Sequence, residues 1–63
     1  MPKAETLSAG NRFIWLGEQL TVIGPPYEDR RPGHSAEVVI LCVNGQNRNR
    51  TVRVAKGRNI RTL

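Results

Sequence analysis

The stretch Ser35-Ala-Glu-Val-Val-Ile-Leu-Cys-Val-Asn-Gly-Gln-Asn-Arg-Asn-Arg-Thr-Val-Arg-Val-Ala55 decides the fold. Its first part, Val38 to Val43, is six apolar residues, four of them β-branched, and is too short for a buried helix. It predicts a strand covered on both faces. Asn44-Gly45 signals a reversal through positive φ, and Gln46 to Asn49 lengthen the connection beyond two residues. Thr51-Val-Arg-Val54 then alternates, which points Val52 and Val54 inward and Arg53 outward. The stretch is therefore a β-hairpin with a polar tip.

Upstream, Arg12-Phe-Ile-Trp-Leu16 is strand-forming, with Phe13 and Trp15 on one face. Gly17-Glu18 reverses the chain into Gln19-Leu-Thr-Val-Ile23, whose core face carries Leu20 and Val22. Gly24-Pro25-Pro26 stops that strand, since consecutive prolines remove two amide donors. The polar connection from Gly24 to Ser35 is long for so small a chain, the kind of loop that is functional or solvated. After the hairpin, Lys56-Gly-Arg-Asn59 turns the chain again, and Ile60-Arg-Thr-Leu63 fits a helical turn or a last strand end. Met1 to Gly10 lacks periodicity and predicts a flexible tail with Leu7 as its anchor, leaving residues 11–63 as the domain. The fold class is thus all-β, a single small five-stranded barrel closed enough to cover the Val38 to Val43 strand.

Sixty-three residues bound the rest. A core of this size buries only about 60% of the unfolded surface, and leaves no room for a second domain. The lone Cys42 lies in the apolar run and reads as a buried structural thiol. One cysteine and one histidine supply no tetrahedral metal set, and no cofactor motif is present. His34 and Ser35 are sequence neighbours without a third partner, so no catalytic set is expected and the chain does not read as an enzyme. No apolar segment reaches the roughly 18 residues of a membrane span, and a soluble, cytoplasmic protein is expected.

Charge carries the functional signal. Residues 1–37 hold four cations against five acids, whereas residues 38–63 hold Arg48, Arg50, Arg53, Lys56, Arg58 and Arg61 against none, giving +5 in all. So one-sided a distribution self-repels and points to an anionic partner. With Arg53 outward, Arg48 and Arg50 at one end and Lys56 and Arg58 at the other form a cationic ridge. Arginine outnumbers lysine eight to two, and its planar fork suits phosphate. Asn44, Gln46, Asn47, Asn49 and Asn59 add neutral donors. Arg30 and Arg31 in the long loop extend the candidate set, and Tyr27 is the one aromatic placed to stack on a base. Nucleic acid, DNA or RNA, held mainly by its backbone, is the expected partner. The alternatives are an adaptor whose barrel edge or proline-containing loop docks on an acidic protein, and a weak homo-oligomer formed through an exposed edge strand in place of a monomer.

Leu20-Thr-Val-Ile-Gly-Pro25, a polar loop ending at Gly33, and Glu37-Val-Val39 resemble the KOW motif of Src-homology-3-like barrels in ribosomal proteins and transcription elongation factors. The likeness covers about a third of the chain. The loop is longer, a second proline is present, and Ala36 stands where the motif has glycine. A looser likeness, Gly10-x-x-Phe13-x-x-x-Gly17-Glu-x-Leu20-x-Val22, is similar to the opening of the carboxyl-terminal barrel of Mu-type transposases. Both resemblances imply a Src-homology-3-like barrel that meets nucleic acid.

Overall fold

A computed structural model describes all residues 1–63. The chain is all-β and antiparallel, with six strands: β1 (Arg12–Trp15), β2 (Glu18–Val22), β3 (Tyr27–Asp29), β4 (Glu37–Asn44), β5 (Asn49–Ala55) and β6 (Arg61–Thr62). β4 is the axis. β5 pairs with its whole length on one flank, while β2 and β3 share the other, Val22 facing Cys42 and Tyr27 facing Val39. β1 follows β2, and β6 follows β1.

The sixth strand is the first correction to the sequence reading. Tyr27–Asp29 lies within the connection expected to be loop throughout, yet pairs with Val39, Val38 and Glu37. Between Leu20 and Tyr27 the chain advances seven residues while β4 recedes five, from Asn44 to Val39, so two residues are looped out at the prolines. The prolines interrupt the ladder without ending it, because the chain returns to a flank of β4 that has backbone groups to satisfy. The second correction concerns closure. β5 and β6, two of the sheet's outer strands, do not pair with each other, so no closed barrel forms. Side chains from β1, β2, β4 and β5 nevertheless share one buried cluster, which requires the sheet to curl over it.

That cluster comprises Ala4, Leu7, Phe13, Leu20, Val22, Val38, Ile40, Cys42, Val52, Val54 and Ile60, with Trp15 packed at its border. The inward assignments of Phe13, Leu20, Val22, Val52 and Val54 match the expected strand faces. β4 is covered on both faces only in its first half: Val39 is fully buried on the outer face, but Leu41 is 39% exposed. Burial raises the pKa of the Cys42 thiol, whose Sγ lies 3.4 Å from the Arg50 carbonyl oxygen.

The amino-terminal segment is also corrected. Residues 1–10 are no frayed tail: a 3-10 turn, Ala4–Thr6, seats Ala4 and Leu7 in the core. Lys3 bridges to Asn59, Ala4 N–H donates to Arg58 O at 2.8 Å, and Ile60 N–H donates to Pro2 O at 2.8 Å. Glu5 completes the junction by accepting from Gly57 N–H at 3.0 Å. Its own backbone N–H and that of Gly57 hold the Glu5 carboxyl below the usual range. A depressed folded pKa gives stability that is present above the unfolded value of about 4.3 and lost as pH falls through the folded one. Glu5→Gln is therefore expected to lower the urea midpoint at neutral pH, with the gap from wild type closing below about pH 4. A gap that persists unchanged into acid would show that the Glu5 charge is not responsible.

Two turns differ in detail from their sequence signals. The β1–β2 reversal uses Leu16 and Gly17, both at positive φ (50° and 80°), the handedness that matches strand twist. Leu16 accepts this conformation on the surface, 91% exposed, one residue ahead of the predicted pair. In the β4–β5 hairpin the positive φ falls on Asn47 (61°) and not on Gly45. Asn44 sets that geometry, its Oδ1 accepting from Gln46 N–H at 2.9 Å and Arg48 N–H at 3.0 Å. Such side-chain-to-backbone bonding is the usual way asparagine fixes a turn.

Candidate nucleic-acid interface

The ridge expected along β5 divides once the strands are assembled. Arg53 faces outward as expected, opposite Val39. Arg50 stands opposite Cys42 and so belongs to the inner face, at its open mouth. Each then meets an acid from the amino-terminal half. Arg50 Nη2 lies 2.9 Å from Glu18 Oε1, and Arg53 Nη1 lies 2.6 Å from Asp29 Oδ2 and 3.5 Å from Glu37 Oε1. Lys56 Nζ lies 3.3 Å from Glu28 Oε2, and Arg31 Nη2 3.0 Å from Glu37 Oε1. The hydrogen bond to Asp29 raises the Arg53 pKa further. These pairs are solvated, and each contributes at most about 1 kcal/mol. Their larger effect is on the field, since four cations and four acids cancel locally.

The unpaired cations are Lys3, Arg12, Arg30, Arg48, Arg58 and Arg61, and only Glu5, engaged with Gly57 N–H, is left to oppose them. Four of the six gather at the β1–β6 edge. Arg61 is the cross-strand partner of Ile14 and shares its outer face with Arg12, two residues along β1, whose carbonyl accepts from Leu63 N–H at 2.9 Å. Lys3 is placed beside Asn59 by its bridge. Arg58, next in the chain, sets its guanidinium carbon 4.9 Å from the centre of the Trp15 ring. Arg48 and Arg30 stand apart, one in the β4–β5 turn and the other just after β3.

Of the residues singled out from the sequence, Arg58 and Arg61 both lie along this edge, Arg58 over Trp15 and Arg61 on the outer face, while Arg50, Arg53, Lys56 and Arg31 are partnered within the fold and Arg48 and Arg30 are free but separate. Tyr27 is half exposed on the outer face, and two other exposed apolar side chains are Leu41 on β4 and Ile23 just after β2. Asn44 is committed to its turn. The sequence reading missed Lys3 and Arg12. A count by halves places both in the acidic half; the alternation Arg12-Phe13-Ile14 was the signal that Arg12 points outward.

No group of three or more His, Cys, Asp or Glu side chains is arranged to hold a metal ion, and no helix is long and apolar enough to cross a membrane. Comparison with known proteins yields no match to a protein family, a curated protein or a solved structure. The functional reading therefore stands on the chemistry of the site.

Proposed function

We propose that this chain is a small nucleic-acid-binding domain that grips the phosphate backbone with its unpaired cations. One observation carries the reading: five ion pairs bind four acids to four cations, so the positive surplus resides in six free side chains, four of them along one sheet edge. Arg12 and Arg61 provide two guanidinium forks on one face, and Lys3 and Arg58 extend the contact around the edge. Tyr27 offers a surface for stacking an unpaired base. The partnered Arg31, Arg50, Arg53 and Lys56 form a second rank that can exchange a carboxylate for a phosphate. The curled sheet is read as a Src-homology-3-like barrel left open between β5 and β6.

The test is a titration of labelled duplex DNA and of single-stranded RNA across a salt series. With four to six phosphates neutralised, log affinity on duplex is expected to fall with log salt at a slope of about −4 to −5. A slope near zero overturns the proposal. The polymer bound more tightly at matched salt is the preferred ligand.

A further inference from the structure

The sheet has three free margins, and they are not alike. β3 is three residues long, follows two prolines and carries Glu28 and Asp29; β6 is two residues long. Short, charged or proline-guarded edges resist pairing with another chain. β5 is different. Its seven residues pair with β4 in unbroken register from Asn49 to Ala55, without proline or bulge. The hydrogen bonds Asn44 N–H to Arg48 O and Lys56 N–H to Ala36 O fix which backbone groups point to β4. Antiparallel pairs alternate, so the even-numbered residues of β5 bond to β4, and Asn49, Thr51 and Arg53 direct N–H and C=O to the open side. Beside that margin runs a groove of about 810 Å³, bordered by Trp15, Leu16 and Leu20 across from Arg50, Thr51 and Val52.

We infer that the β5 margin is a docking site for an extended, acidic segment of a partner protein, added as a further strand in the seam between β5 and the β1–β2 hairpin. This inference shares the free Arg48 and Arg58 with the nucleic-acid reading but rests on the unpaired backbone of β5, which that reading does not use. Main-chain bonds to Asn49, Thr51 and Arg53 hold the segment, and the pleat decides its side chains. Those facing the groove meet Trp15 and Leu16 and are apolar. Those on the other face lie beside Thr51 and Arg53 and are polar or acidic. Charge selects the occupant: Arg48 just before β5 and Arg58 over Trp15 have no acidic partner, so carboxylates on the segment complement both ends of the groove. A second copy is the poorer fit, because it brings another net +5 and sets Arg50 and Arg53 of two chains in one seam.

Amide hydrogen exchange on the whole chain, with and without a short peptide of alternating valine and glutamate, tests this. Thr51 and Arg53 amides are expected to exchange freely alone and to become protected by the peptide, while Val52 and Val54, already bonded to β4, change little. Thr51→Pro deletes one free-side donor without touching the β4–β5 ladder, and is expected to weaken the peptide roughly tenfold, the equivalent of one hydrogen bond. Should that variant fail to fold, exchange on the wild-type chain still decides. Absence of protection at Thr51 and Arg53, or equal protection by a valine–lysine peptide, overturns the inference. So does protection that grows with protein concentration in the absence of peptide, which would assign the margin to a second copy.

Discussion

Phe13→Ala is expected to cost the domain at least a third of its stability. Phe13 is the largest fully buried side chain, held opposite Leu20 on β2 and Thr62 on β6. Truncating a buried phenylalanine costs about 3–5 kcal/mol, as transfer free energy plus the cavity left behind. A domain of this length has a total stability of roughly 3–9 kcal/mol, at 0.05–0.15 kcal/mol per residue. The substitution therefore removes between a third of the stability and all of it. Urea unfolding followed by circular dichroism measures it, and a loss below about 1 kcal/mol would mean that the curled sheet does not close over Phe13 as described. The joint between three strands depends on this one ring.

The second large effect concerns binding. The triple variant Arg12→Ala, Arg58→Ala, Arg61→Ala removes three of the four cations at the β1–β6 edge. If each neutralises one phosphate, the salt slope on duplex DNA should flatten by about 2.7, and affinity in about 0.1 M salt should fall several-hundred-fold. The double variant Arg50→Ala, Arg53→Ala is the informative comparison, since both side chains are already paired with Glu18 and with Asp29 and Glu37. Its loss should be much smaller. The opposite ranking would return the contact surface to β5 and remove the reason for preferring the free cations. Amide spectra of both variants separate loss of contact from loss of fold, which matters for Arg58 because it also covers Trp15.

How far the sequence could lead is visible in particular residues. Val38 to Val43 and the alternating valines of β5 were legible because burial and period act within a few positions. Tyr27–Asp29 was not, because two prolines and two acids outweigh one tyrosine locally, and only the vacant flank of β4 makes it a strand. Leu7 could be read as an anchor, but Ala4 and the order of the segment were hidden for a related reason: two apolar residues have no period, and their burial depends on the turn beyond Ala55 reaching back to them. The charge asymmetry could be read, but its cancellation could not. Glu18 meets Arg50, and Glu28 meets Lys56, from opposite flanks of β4. Such pairs are set by tertiary contact, so a linear count of charge overstates how bare the β5 arginines are.

The ladder joining Pro2–Ala4 to Arg58–Ile60 has a further consequence during synthesis. Ala4 and Leu7 leave the ribosome more than fifty residues ahead of Ile60, whose amide bonds to Pro2. Until then the nascent chain can pair β1 with β2 and β4 with β5, while the seats of its first turn are still incomplete. Contacts so distant in sequence make folding slow and leave apolar surface open meanwhile. The domain is thus expected to snap together after translation passes Ile60, and a stalled chain ending at Ala55 should be a ready target for chaperones and proteases.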